Sequence, residues 1–422
     1  IRLSRIIPKL DKSFKNILVH TGQNFDYELD KIFLEELNVR KPNYYLNARG
    51  SFAKQISKII YKLEKIIKKE KPSKFLVLGD TNSSVGAIVA RRMHLKVFHM
   101  EAGNRCFGRK SPEEVNRKII DHSSDILLPY TKDSKGNLLN EGIKNNKIIV
   151  TGNPITEVIH HNKFKINKSK IIKILNLKQK RYLLLTLHRE ENADDFRKLK
   201  SFLIAFNQIV KKFDLKIIWP VHPRTRKILK QNKFNIDKRV ILLKPLGFID
   251  FISLEKNCLA TISDSGTVQE ESAIFKKPCL VIREYTERPE TIRAGSAIIL
   301  NNNVKKMKEI ISKSLKDKIK IKNIKDYSGI KVSNKILEIL KNYWCIVSKK
   351  KNNFFTFLLI LFPVSLVSGP LLPEIISFLF LIYFFLDFSN LKKKKILNKK
   401  KISFLFLLFF YLFFISFLKI EF

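Results

Sequence analysis

The sequence predicts an α/β protein made of two successive strand-and-helix series, followed by hydrophobic transmembrane helices. Three observations carry this. Short apolar runs end repeatedly in polar or Gly-containing loops and lead into segments of helical periodicity, the alternation expected of parallel sheets flanked by helices. From Phe354 onward that spacing gives way to runs rich in Phe, Leu and Ile. A length of 422 residues also exceeds one ordinary core and suits two domains with something added.

The first series is NILVHTGQ, KFLVLGDT, KVFHMEAG, DILLPYT and KIIVTGNP; the second is YLLLTLHR, KIIWPVHP, VILLKPLG, CLATISDSG and PCLVIRE. Their polar residues sit at the carboxyl ends, where ligands of open α/β sheets bind. Helix capping would account for Ser, Thr, Asp or Asn there, but not for His, Glu and Arg together. Between the series, HHNKFKINKS (His160–Ser169) has no apolar pattern and marks the boundary between a first domain at 1–160 and a second at 170–325. NVKKMKEIISKSLKDKIKIKN reads as a helix with an exposed basic face. VSNKILEILKNYW, within a segment 326–346, reads as an amphipathic helix packing back on the first domain.

A formal net charge of +43 raises the question of nucleic acid. The lysines are spread through every segment without interleaved stacking aromatics, so a nucleic-acid partner is not expected. Cys106, Cys258, Cys279 and Cys345 show neither CxxC pairing nor metal-ligand spacing, which suits a reduced, cytoplasmic body. No cleavable signal is present, and a start at Ile1 suggests a fragment lacking its first strand and loop. FFTFLLILFPVSLVSGP, LLPEIISFLFLIYFFLDF and SFLFLLFFYLFFISFL, within 354–420, are long enough to span a bilayer or nearly so. The lysines from Lys392 to Lys401 between the last two belong in the cytoplasm by the positive-inside rule. The body is therefore expected on the cytoplasmic side, anchored to the membrane by the tail.

The chemistry lies at the strand ends. LGDTNSS brings Asp80 together with free helix N-terminal amides. HMEAGNRCFGRKSPEEVNRKIIDH places Glu101 after a strand, then Arg105, Arg109, Glu113 and Arg117. LTLHREEN ends in His188 and Arg189, and WPVHPRTR in His222, Arg224 and Arg226; planar guanidinium groups of this kind suit phosphates. SDSGTVQEES sets Ser265 and Gly266 at a strand-to-helix turn whose amides can bind a diphosphate, while Glu271, a turn further on, suits ribose hydroxyls. REYTERPE adds Arg288 before a proline-fixed turn. No GxGxxG follows a strand and no metal-ligand cluster stands out, so neither a nicotinamide cofactor nor a metal is expected. His20, His99, His122 and His222 read as cap, core or phosphate partners, and His160 and His161 as solvated.

In order and spacing, GDTNSS, HMEAGNR, PEEVNR, HREEN, SDSGTVQEE and TERPE closely resemble the non-hydrolysing UDP-N-acetylglucosamine 2-epimerases. The resemblance covers residues 1 to about 345. It implies two Rossmann-like domains facing a cleft, as in the glycosyltransferase-B arrangement, and a UDP-amino sugar as substrate for cell-envelope polysaccharide. It implies proton transfer by Asp80, Glu101 and Glu113, with His188 beside the diphosphate. Ser265, Glu271 and Arg288 match residues that hold UDP. The family opens with a GTRPE-type loop, which this sequence follows directly; Arg2 falls where the family often has Lys. HTGQNFDYELDKIF, with Gln23 and Asp26, is most similar to the branch acting on UDP-linked 6-deoxy amino sugars, which leaves the sugar open. A homodimer is the expected assembly. The tail weakly resembles O-antigen polymerase or ligase proteins. A hydrolysing 2-epimerase and a glycosyltransferase of the same fold are the competing activities.

Overall fold

Eleven short strands form among the described residues, and their apolar composition explains why they pair in parallel beneath helices. They are β1 (Val19–His20), β2 (Tyr44–Tyr45), β3 (Lys74–Leu78), β4 (Lys96–Met100), β5 (Ile126–Leu128), β6 (Tyr182–Thr186), β7 (Lys216–Pro220), β8 (Val240–Leu243), β9 (Ala260–Ser263), β10 (Cys279–Val281) and β11 (Ala297–Ile299). The structure is a computed structural model that describes residues 1–22, 31–108, 111–187, 192, 196–232, 234–300 and 303–342. Residues Ile1–Glu338 form one compact unit. The three apolar runs of the tail lie outside the described residues, among which no helix is long and apolar enough to cross a membrane.

In the first half, β1 pairs with β2, and β3, β4 and β5 form a separate parallel sheet in that order. Leu78 is opposite Met100, and Met100 opposite Leu128, so the three strands of that sheet finish level. In the second half the order is β11-β10-β9-β6-β7-β8, again parallel throughout. Ser263 pairs with both Thr186 and Val281, which brings the loops after β6, β9 and β10 to one edge. The 19-residue helix Phe52–Glu70 buries Ile59, Leu63 and Ile67 along one stripe and stops at Lys71, whose φ of 45° is left-handed. In the second half Phe206 meets the fully buried Trp219 edge-on, with ring centres 6.3 Å apart, inside a core that also holds Leu183, Ile217 and Ile262.

Contacts also tie the halves together. Glu36, from the first half, supplies the cap that the helix Phe248–Asn257 lacks in its own sequence: Ile249 N donates to Glu36 Oε2 at 3.0 Å. Gly247 leaves room for this cap, since a Cβ would stand 1.9 Å from Glu36 Oε1 and push that carboxylate away. Near the end of the described chain, Ser333 N donates to Glu157 Oε2 at 2.8 Å, and Thr156 Oγ1 to the Tyr327 carbonyl at 2.6 Å.

The structure departs from the sequence reading in several places. Helices Pro154–His161 and Lys163–Lys168, not read from the sequence, run through His160–Ser169 with Ile166 buried, and His160 and His161 are exposed as expected. KIIVTGNP makes only an isolated bridge, Leu127 with Ile148, instead of a strand. β2 and β11 were not among the runs read from the sequence. The basic helix ends at Leu315, well before the lysine-rich stretch that follows.

Candidate active site

Glu101 follows β4 directly, and its backbone is turned to a φ of 67°, the left-handed region that a residue with a Cβ occupies at a cost. Two features hold that turn. Glu101 N donates to the Leu128 carbonyl at 3.1 Å, and Gly103 N donates to Asp121 Oδ2 at 3.1 Å. Asp121 also meets Nδ1 of His99 at 2.7 Å, whose Nε2 lies 3.0 Å from the Gly79 carbonyl. The buried His99 thus joins the loop carrying Asp80 to the strand carrying Glu101, a core position rather than a metal ligand.

Around Glu101 the two halves of the molecule meet in a closed ring of four charges. One Glu101 oxygen accepts from Arg2 Nη1 and the other from Arg288 Nη2. The same two arginines also share Glu270 on the helix Gly266–Ile274: Arg2 Nη2 donates to its Oε2 at 2.6 Å, and Arg288 Nε to its Oε1. Arg2 reaches Thr267 Oγ1 at 3.2 Å as well. Burial pushes the Glu101 carboxyl up, but Arg2 and Arg288 outweigh it and hold the group below the usual carboxylate range.

Beside the ring, Asp80 accepts from Arg117 Nε at 2.7 Å, and Arg117 Nη1 donates to Glu114 Oε2 at 2.9 Å. Burial raises the Asp80 carboxyl above its ordinary value; Arg117 opposes the rise, while Glu101 and Glu287 add to it. Glu114, not Glu113, is the glutamate of PEEVNR that pairs with Arg117. Glu113 is half-buried one residue earlier and accepts from Ser111 Oγ at 2.8 Å.

The remaining expected ligands separate into groups. Ser265 and Gly266 open the helix Gly266–Ile274, as read from the sequence. The Glu287 carboxylate presses on Gly266, where a Cβ would meet its Oε1 at 2.4 Å. Glu271 is buried one turn into that helix, near the buried Glu255 of the preceding helix. Burial first, then Glu270, pushes Glu271 up to about 8, and Glu255 lies well above the carboxylate range for the same reason. His222 is half-buried after β7 and its carbonyl accepts from Arg226 N at 2.9 Å. Arg105, expected to bind substrate, is buried with its donors on Glu141 at 2.6 and 2.7 Å, on Asp121 at 2.8 Å and on the Asn104 carbonyl at 2.8 Å, contacts that brace the Glu101 turn. His188, Arg189, Arg109, Gln23 and Asp26 lie outside the described residues. Sequence reasoning missed Glu270, Glu114, Glu255 and Glu287, three of which are neighbours of residues it did single out.

The chain matches the family described as UDP-N-acetylglucosamine 2-epimerase over residues 8–341. It belongs to that family. A UDP-N-acetylglucosamine 2-epimerase of Methanococcus maripaludis is 41% identical over 325 residues, 75% of this chain and 88% of the relative. The crystal structure of Methanocaldococcus jannaschii UDP-GlcNAc 2-epimerase in complex with UDP-GlcNAc and UDP superposes with a TM-score of 0.76 at 39% identity, covering 81% of this chain and 96% of that one. A Pseudomonas aeruginosa relative, 34% identical over 78% of this chain and 92% of its own length, is a UDP-2,3-diacetamido-2,3-dideoxy-D-glucuronate 2-epimerase. The epimerase described here thus has the two-domain, glycosyltransferase-B-like α/β fold of its relatives and is an isomerase.

Proposed function

We propose that this epimerase interconverts UDP-N-acetylglucosamine and UDP-N-acetylmannosamine by eliminating UDP and adding it back, with Asp80 exchanging the C2 proton. The C2 hydrogen of an N-acetylhexosamine is not next to a carbonyl, so its simple removal would leave an unstabilised carbanion. If the C1–O bond to UDP breaks as the proton leaves C2, the electron pair forms a C1=C2 double bond and the product is a 2-acetamidoglycal. Return of UDP to C1, with a proton delivered to the other face of C2, inverts that centre.

The observation that carries this reading is the Glu101 carboxylate held by Arg2 and Arg288 beside the Asp80–Arg117 pair. Proton exchange works best for a group whose pKa lies near the operating pH. Asp80 is shifted in that direction, whereas Glu101 is held ionised while its two arginines stay on it. A diphosphate entering the site competes for those arginines and stabilises itself there as a leaving group. Glu101 then loses the cations that kept it acidic and becomes able to take a proton on the opposite face. His188, by resemblance, assists the departing diphosphate.

Incubation with UDP-N-acetylglucosamine in heavy water, with C2 configuration and label read by NMR, tests the proposal. The Asp80→Asn variant is expected to lose roughly 10²- to 10⁴-fold in C2 exchange. Undiminished exchange in that variant removes Asp80 from the role, and free hexosamine as the main product overturns the non-hydrolysing reaction. The same assay with a UDP-linked 6-deoxy or diacetamido sugar compares substrates directly.

A further inference from the structure

Tyr130 has no part in the chemistry above, yet it stands inside the site. It follows β5, the strand that finishes level with β4 and receives the Glu101 amide at Leu128. The Arg2 guanidinium carbon lies 5.6 Å from the centre of its ring. Tyr130 is 2% exposed, and its hydroxyl has no hydrogen-bond partner among the described residues. Arg2 Nε is a second buried donor in the same corner without a partner. Buried phenols are normally satisfied; Tyr182 and Tyr327, for instance, donate to the Leu254 carbonyl at 2.6 Å and to Glu290 Oε1 at 2.5 Å. Neither Glu101 nor Glu270, whose oxygens accept from Arg2 and Arg288, accepts from the Tyr130 hydroxyl.

Two unsatisfied donors facing no acceptor describe a subsite for an oxygen-rich anion. We infer that the Tyr130 hydroxyl is a substrate contact, donating to a diphosphate oxygen of the nucleotide sugar once that group has drawn Arg2 out of the ring. Burial and the neighbouring Glu101 raise the Tyr130 hydroxyl well above its ordinary value, with Arg2 opposing, so it remains a neutral donor rather than a repelling phenolate. The inference rests on the epimerase reading of the site and adds to it a residue that fixes affinity without touching the reacting carbons.

The test is Tyr130→Phe in the full chain, with UDP affinity measured by calorimetry, KM and kcat by epimerisation, and thermal unfolding with and without UDP. Phe preserves the ring beside Arg2 and deletes only the unsatisfied hydroxyl. The expected result is an unchanged or higher unfolding temperature without ligand, a UDP dissociation constant and KM raised about tenfold or more, and a smaller effect on kcat. Tyr182→Phe, which removes a satisfied hydroxyl far from the ring, is expected to lower the unfolding temperature and leave UDP affinity alone. Unchanged UDP affinity in Tyr130→Phe overturns the inference while leaving the epimerase reading intact. A loss of stability in the free Tyr130→Phe protein also overturns it, since the hydroxyl would then have a partner without ligand. Failure of the unaltered protein to bind either UDP or the UDP-sugar overturns the epimerase reading and this inference together.

Discussion

Glu271 and Glu255 are two buried carboxyls that face each other, with Ser272 Oγ donating to Glu255 Oε1 at 2.9 Å. Their folded-state values lie above those of an unfolded chain, Glu271 at about 8 and Glu255 well raised. Between the ordinary glutamate value of about 4.3 and pH 8, the folded protein therefore holds protons that the unfolded chain has released. Stability falls as pH rises through that window. Glu255→Gln should flatten this slope and raise stability at pH 8 by about 1–2 kcal/mol, read from denaturant midpoints across pH. Glu255 was not legible in the sequence, because FISLEKN reads as a surface helix ending in polar residues. Adjacent acids posed a related difficulty. Glu113 and Glu114 lie four and three residues before Arg117, and both spacings bring side chains together on a helix. Only the folded backbone shows that Glu114 makes the pair.

At the scale of an element, the turn after β4 is the most constrained piece of the site. Gly103 has a φ of 77°, and a Cβ there would stand 2.2 Å from the Ser134 carbonyl oxygen. Neither strand β4 nor the helix Lys132–Asn140 can give way without disturbing the core around it. Gly103→Ala is expected to cost at least about 1–3 kcal/mol in a thermal melt. It should also lower kcat more than a distant change of equal destabilisation, because Glu101 sits two residues away. The strands that carry the site were the most legible elements: KFLVL, KVFHM and YLLLT are apolar runs with polar ends, and they form strands as read. The short helix in HHNKFKINKS was not legible, because it needs few apolar residues when one of them, Ile166, packs with Val158 and Ile252 of other helices. In the ring of Arg2, Glu101, Glu270 and Arg288, the bonded pair Arg2 and Glu270 is 268 positions apart. Nothing in local periodicity encodes such a pairing; the ordered motifs singled out Glu101 and Arg288 but not Glu270.

For the molecule as a whole, the family match ends at residue 341, and the apolar tail begins beyond it. A chain ended after residue 341 should retain epimerase activity within about twofold under the same conditions, read by product formation. Partition of the full chain, but not of the shortened one, into a membrane fraction would bear on the tail's expected anchoring role. The two halves are joined by contacts of different kinds. Glu36 caps a helix of the other half, and four charges close over the site, so a ligand that opens the second contact need not break the first.

The ring of four has equal numbers of positive and negative charges, so a diphosphate adds anions to a place that is already neutral. The protein can restore the balance by drawing hydrogen ions from solution as Glu101 gives up its arginines. Nucleotide capture should then absorb hydrogen ions, and its measured heat should vary with the ionisation enthalpy of the buffer. Titrations of UDP into the protein in phosphate and in Tris at one pH should differ accordingly, and Glu101→Gln should bring the two heats together. On this view the enzyme takes up acid as it takes up substrate.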